Sequence, residues 1–149
     1  MSAEQHRALT LETLERGMNQ GDLSVFDEVV AAHGVDHQEP PGTVYAEHLK
    51  EVFTLMRAAF PDLHFELHHM LAEGDIVAFH STMTGTHEGV FGIGPFRNLP
   101  PTGRKVAVRH MHFIRYENGK STELWHLMDT PTLMRQLGMM PASPPQPRA

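Results

Sequence analysis

The sequence contains no cysteine, which excludes disulfides, thiolate nucleophiles and cysteine-based zinc sites. It also lacks an apolar run near the roughly 18 residues of a membrane-spanning helix, and its first residues lack the apolar stretch of a secretory signal. Positive charge is scarce, since 12 Lys and Arg stand against 18 Asp and Glu. Because nucleic-acid binding needs clustered Lys and Arg, we expect no nucleic-acid partner. Since the sequence shows neither a membrane span nor a secretory signal, we also expect a cytoplasmic protein that does not bind a membrane.

The rest of the composition is that of an ordinary globular protein. The chain has 149 residues, of which 40% are hydrophobic and 20% are charged, and this length suits one domain. We predict a single domain over residues 1–140 and a proline-rich, disordered tail over residues 141–149. The unusual feature is the presence of 12 histidines, which are dispersed along the chain.

Apolar residues recur at helical spacing in three N-terminal segments. The spacing predicts helices over residues 8–18, 23–32 and 46–59. Gly21 and Asp22 separate the first two helices, because glycine suits the left-handed residue after a helix and aspartate can cap the next one. Pro61 ends the third helix, since proline disfavours the α conformation in the residue before it.

After Pro61 the hydrophobic period changes to two, which indicates half-buried strands. The pattern predicts strands over residues 63–71, 76–86, 105–116 and 121–128, and a short last helix over residues 130–137. Residues 89–103 are too rich in glycine and proline for a regular element, so we predict a long loop there. Helices followed by a strand meander predict an α+β fold, in which a curved antiparallel sheet packs on the three N-terminal helices and leaves an apolar pocket.

Short motifs along nearly the whole chain, from Leu9 to Gly138, carry a family resemblance. In chain order they are Asn19-Gln20-Gly21-Asp22, Val35-Asp36-His37, Phe60-Pro61-Asp62, Glu73-Gly74-Asp75, Gly85-Thr86-His87-Glu88-Gly89, Pro101-Thr102-Gly103, Arg115-Tyr116 with Gly119-Lys120, Glu123 with Trp125 and Asp129, and Gln136-Leu137-Gly138. With these motifs the sequence resembles the SnoaL-like polyketide cyclases (ester cyclases), a branch of the nuclear-transport-factor-like superfamily.

The resemblance implies a cone-shaped homodimer that closes a ring on a polyketide ester by intramolecular aldol condensation. It implies no metal, no Schiff base and no other cofactor. It further implies that an acidic residue on the final strand acts as general acid/base, and the matching residue is Asp129. Relatives often carry a second acid directly after the tryptophan, where this chain has His126.

Asp129 has two interpretations. In the catalytic one, a carboxylate whose pKa is raised by an apolar wall removes a proton from a methylene between a carbonyl and an ester. His112 would then donate a hydrogen bond to the enolate. In the structural one, Asp129 caps the helix that begins with Thr130 and Pro131.

The length of the last hairpin loop decides which side chains share a face, because a shift of one residue flips every side chain of a strand. A two-residue loop at 118–119, which Asn-Gly favours, places Asp129 on one face with His110 and His112. In that register His112 lies opposite Trp125.

A three-residue loop at 117–119 gives a different grouping. His110 then lies opposite His126, and both share a face with His112, while Asp129 lies on the other face. Three histidines in this arrangement could bind zinc, iron or copper. The family that the sequence resembles uses no metal, so we predict no metal site here.

Further side chains are predicted to contact or enclose the substrate. The expected polar contacts are His37, which lies in a short strand before a proline-rich loop, and the pair His110 and His126. Aromatic side chains are expected to form the pocket wall, and they are Trp125, Phe53 and Phe60.

We predict a SnoaL-like cyclase that acts on a small, apolar, carbonyl-bearing substrate of polyketide-like size. Two other functions stay open at this point. The first is a related isomerase, dehydratase or hydrolase with the same pocket, and the second is a non-catalytic domain that binds a hydrophobic ligand.

Overall fold

The computed structural model describes residues 1–139, so the predicted tail over residues 141–149 lies outside the described residues. Its helices are α1 (Ala3–Thr13, continued by a π-helical turn over Leu14–Asn19), α2 (Ser24–Val29), α3 (Tyr45–Ala59) and α4 (Thr130–Gln136). Its strands are β1 (Val30–Asp36), β2 (His64–Glu73), β3 (Ile76–Thr86), β4 (Lys105–Glu117) and β5 (Lys120–Met128). No helix within this part of the chain is both long and apolar enough to cross a membrane.

The five strands form one curved, open sheet in the order β1-β5-β4-β3-β2. The four strands predicted after Pro61 form an antiparallel meander, which confirms the α+β fold. The first strand was only partly predicted. The second helix ends at Val29, three residues earlier than expected, because the chain becomes extended at Val30 and pairs with β5 in parallel. This edge strand carries Asp36 into the sheet.

The helices cover one face of the sheet, which we call the inner face. Strand β3 shows why, since its alternate side chains are buried, namely Val77, Phe79, Ser81 and Met83, while their neighbours in the strand are partly exposed. Helix α1 is fixed to β4 through a hydrogen bond of 2.7 Å between the Thr10 and Tyr116 hydroxyls. The alternation of side chains along the strands therefore directs one apolar face of the sheet toward α1 and α3.

Residues 89–103 are irregular, as predicted, apart from a short 3₁₀ turn. The segment folds back on itself through a bridge between Phe91 and Leu99. Its aromatic rings at Phe91 and Phe96 are buried and stack with their centroids 4.3 Å apart. The segment therefore packs into the core and adds part of the wall of an internal cavity.

Candidate active site

A cavity of about 410 Å³ lies between the helices and the inner face of the sheet. This volume is within the range of small-molecule sites. Its wall is mainly apolar, formed by Leu14, Met18, Phe26, Val29, Val30, Leu49, Val52, Phe53, Met56, Phe79, Phe91, Ile93, Ile114, Leu124 and Met128. Its polar groups include four histidines and two carboxylates, namely His48, His110, His112, His126, Asp36 and Glu39.

The hairpin between β4 and β5 decides which of these polar groups meet. Its turn has two residues, Asn118 and Gly119, both with positive φ of 51° and 76°, and Glu117 pairs with Lys120. The two-residue turn is therefore confirmed. A β-bulge at residue 122, however, adds one residue to β5 and shifts the register beyond it.

The bulge reverses the grouping expected from the two-residue turn. His112 lies opposite His126 and not opposite Trp125, and His110 lies opposite Met128. The inner face therefore carries all three histidines, and the expectation that Asp129 shares a face with His110 and His112 is wrong. The Asn-Gly motif therefore predicted the turn correctly, but no sequence signal indicated the bulge at residue 122.

His110 and His112 are held in an environment that favours their neutral forms. His110 is 8% exposed, and burial lowers its pKa to about 4, with a further contribution from His126. Burial lowers the pKa of His112 well below its ordinary value, and the neighbouring His110 and His126 act in the same direction. His110 Nε2 and His112 Nδ1 are buried and have no hydrogen-bond partner among the described residues. Two neutral imidazoles are thus free to bind a polar group of a ligand.

His126 is paired with a buried carboxylate. Its Nε2 lies 3.1 Å from each carboxylate oxygen of Asp36, whose side chain is only 1% exposed. Burial raises the pKa of Asp36, but the hydrogen bond and charge of His126, the Gln38 backbone N–H and His48 together lower it below its ordinary value. Asp36 is therefore an ionised acceptor that fixes the ring of His126.

A second carboxylate–histidine pair lies at the same end of the cavity. Glu39, in the loop after β1, and His48, on the first turn of α3, approach to 3.0 Å between Oε1 and Nε2. Ligand atoms of Asp36, Glu39 and His126 all lie within 4.8 Å of one another. This set could hold a divalent cation by its chemistry, although within residues 1–139 each of its members already has a hydrogen-bonding or ionic partner.

Asp129 lies outside the cavity. Its side chain is exposed and accepts hydrogen bonds from the Thr132 backbone N–H at 3.2 Å and from the Thr132 hydroxyl at 2.6 Å. These hydrogen bonds lower its pKa, with Arg135 and Arg109 contributing. The interpretation of Asp129 as the cap of the last helix is confirmed, and no apolar wall formed by residues 1–139 encloses its exposed carboxylate.

The structure also separates the other predicted contacts. His37 lies at the edge of the sheet, where it stacks on Trp125 with ring centroids 4.6 Å apart and pairs with Glu123 at 3.0 Å. Neither His37 nor Trp125 lines the cavity. Phe53 does line it, whereas Phe60 is fully buried beneath the loop and contacts Phe91.

Three residues of the site were not predicted from the sequence, namely Asp36, Glu39 and His48. Asp36 occurred in a recognised motif, but only the parallel pairing of β1 with β5 brings it beside His126. His48 had a usable signal, because it lies one helical turn from both Tyr45 and Val52, which are on the face of α3 that lines the cavity.

Comparison with known proteins agrees with this fold. The sequence model of the SnoaL-like polyketide cyclase family matches residues 8–137. The chain belongs to this family. Among the curated proteins, none matches the sequence.

Solved structures related to this SnoaL-like chain share its fold. IdmH of Streptomyces antibioticus, described as a proposed polyketide cyclase, is 30% identical with a TM-score of 0.73, over 90% of this chain and 99% of its own. AclR of Streptomyces galilaeus, described as a proposed hydroxylase, is 27% identical with a TM-score of 0.79, over 96% of this chain and 87% of its own. TsrD of Streptomyces laurentii is 23% identical with a TM-score of 0.80, over 94% of this chain and 99% of its own, and supports the fold alone.

Proposed function

We propose that this protein catalyses an intramolecular aldol-type ring closure on a neutral, polyketide-like carbonyl substrate, with His126 as the general base. The observation that carries this proposal is the hydrogen-bonded pair of His126 and buried Asp36 at one end of an apolar cavity. In this proposal Asp36, and not Asp129, is the acidic residue of the site.

In the Asp36–His126 pair, the carboxylate orients the histidine so that one ring nitrogen can act as a base. The Asp36 carboxylate accepts the Nε2–H of His126, which leaves Nδ1 with a free electron pair. Asp36 also stabilises the imidazolium that forms when Nδ1 takes a proton. A methylene between a ketone and an ester is acidic enough for such a base to remove its proton at neutral pH.

The enolate formed by this step needs hydrogen-bond donors that are already in place. His112 lies directly opposite His126 in the sheet, with the two rings nearly parallel and their centroids 5.8 Å apart. Because burial keeps His112 and His110 neutral, each ring retains one N–H donor without introducing a charge. Hydrogen-bond donors that are fixed in advance in an apolar cavity stabilise developing negative charge more strongly than water does.

The substrate is proposed to be neutral. No Lys or Arg lines the cavity within the described residues, whereas Asp36 and Glu39 do. A free carboxylate or phosphate entering the cavity would lose hydration without gaining a cationic partner. An ester or a ketone fits both the apolar wall and the neutral histidines.

Enolisation would also begin the reaction of an isomerase or a dehydratase, so the test must observe both the proton and the product. The probe is a neutral aryl β-keto methyl ester with a second ketone positioned for six-membered ring closure. In D₂O, NMR follows exchange of the activated methylene protons above the protein-free rate, and chromatography follows the ring product.

We expect His126→Gln to slow enzyme-dependent exchange and ring closure together by about 10²–10⁴-fold, the usual contribution of a general base. The matched control is Glu123→Gln, which breaks a carboxylate–histidine pair outside the cavity and should leave both rates unchanged. Unchanged exchange in His126→Gln would exclude His126 as the base, and exchange without a ring product in the wild type would favour an isomerase.

We also propose that the protein is a homodimer joined through the outer face of the sheet. Four large apolar side chains on β2, β4 and β5 point away from the helices: Leu71 and Leu127 are 75% and 71% exposed, and Phe113 and Met111 are 51% and 49% exposed. Contiguous exposed apolar side chains mark interaction surfaces.

Sedimentation equilibrium should give a dimer for the wild type and a monomer for Leu127→Asp. Val90→Asp, which changes an exposed apolar loop residue, should remain dimeric.

A further inference from the structure

The pair of Glu39 and His48 faces the same cavity as His126 but from another wall. His126 stands on β5 in the sheet, and His48 stands on α3 among the helices. Each histidine has its own carboxylate, with Nε2–oxygen distances of 3.1 Å to Asp36 and 3.0 Å to Glu39. The polar end of the cavity therefore carries two oriented imidazoles, one from the sheet and one from a helix.

The two carboxylates are linked through the backbone and by proximity. The Glu39 backbone N–H donates to the Asp36 carbonyl at 3.1 Å, and the carboxylate of Glu39 lies within 4.8 Å of ligand atoms of both Asp36 and His126. No Lys or Arg from the described part of the chain lines the cavity, so the cavity partner of each carboxylate is a histidine. The site thus has one carboxylate–histidine pair on the helix side and one on the sheet side.

Exposure to solvent distinguishes the two carboxylates and not the two histidines. The side chains of His48 and His126 are 23% and 29% exposed, whereas those of Glu39 and Asp36 are 27% and 1% exposed. Solvent therefore reaches both members of the Glu39–His48 pair, and a proton that this pair gives up can be replaced from water. A group that must be reprotonated once in every reaction cycle benefits from this position.

We propose that His48 is the general acid of ring closure and that Glu39 positions it, an inference that rests on the proposed enolisation by His126. His126 takes the proton as the C–H bond breaks, and the electron pair of that bond enters the enolate. The enolate carbon forms the new C–C bond, and the π electrons of the second ketone move to its oxygen. His48, which enters the cycle as an imidazolium paired with Glu39, donates one proton to that oxygen and becomes neutral, while His126 holds the proton from carbon as an imidazolium. Solvent then removes the proton from His126 and returns one to His48, so the reaction consumes none.

The experiment separates the two proton transfers with the same aryl β-keto methyl ester probe. Methylene exchange in D₂O requires only the base, whereas formation of the ring product requires the acid as well. We expect His48→Gln to keep exchange within about threefold of the wild type and to slow ring closure by about 10²-fold or more. Glu39→Gln should show the same split, and Glu39→Asp should recover most of the ring closure.

Glu123→Gln is again the matched control, because it removes a carboxylate from a histidine outside the cavity, and it should change neither rate. Ring closure at the wild-type rate in His48→Gln would overturn the inference. An equal loss of exchange and ring closure in a variant that keeps the wild-type circular dichroism would also overturn it, since His48 would then act in the first step or only in shaping the site. Absence of exchange in the wild type would refute the proposed function itself, and this result is distinguishable because it precedes any comparison with variants.

Discussion

Replacing His110 by leucine should flatten the pH dependence of folding stability. The pKa of His110 is about 4 in the folded protein, against about 6.5 for an exposed histidine. As the pH falls from 6.5 toward 4, the unfolded chain takes up a proton at this position and the folded protein does not, so the free energy of unfolding decreases. At pH 5 the loss due to His110 alone is about 2 kcal/mol.

The measurement is urea unfolding at pH 7 and pH 5, followed by the fluorescence of Trp125, the single tryptophan. Between these pH values His110→Leu should lose about 2 kcal/mol less than the wild type. The titratable groups that face His110 are His112 and His126, and both remain in the variant. His33→Leu, at an exposed position of β1, should keep the wild-type dependence. Equal losses in the wild type and His110→Leu would refute the burial argument.

Three stability predictions follow from hydrogen bonds and backbone geometry. Asp129→Ala should lower the free energy of unfolding by about 1 kcal/mol through loss of the helix cap, and should leave methylene exchange unchanged. Gly119→Ala should destabilise the hairpin by about 1 kcal/mol, because its φ of 76° suits glycine, and differential scanning calorimetry would show a lower Tm. Ser121→Ala removes the partner 2.8 Å from the buried Tyr45 hydroxyl and should lower the free energy of unfolding by about 1–3 kcal/mol in urea titrations.

Sequence patterns were sufficient for the elements whose signals are local. Alternating hydrophobicity located the four antiparallel strands, and Pro61 marked the end of α3. The Asn118-Gly119 pair located the turn, since few residues other than asparagine and glycine accept positive φ there. In each case the signal lies within a few residues of the feature that it specifies.

The active-site geometry depends on features that have no local signal. The bulge at residue 122 carries no glycine and no proline, yet it moves His126 to face His112. The strand β1 forms because β5 pairs with it, and that pairing brings Asp36 to His126 from 90 residues away in sequence. Asp129 was correctly predicted to lie at the end of β5, but the register of that strand turns its side chain toward solvent, where it caps α4.

Asp36, acting through His126, is proposed as the acidic residue of the site in place of Asp129. Methylene exchange of the aryl β-keto methyl ester by Asp36→Asn and Asp129→Asn separates the two residues, with folding checked by circular dichroism. We expect Asp36→Asn to slow exchange by about 10²-fold or more, because an oriented histidine loses its carboxylate, and Asp129→Asn to stay within about twofold of the wild type. Slow exchange in Asp129→Asn together with wild-type exchange in Asp36→Asn would show that Asp129 is the acid instead.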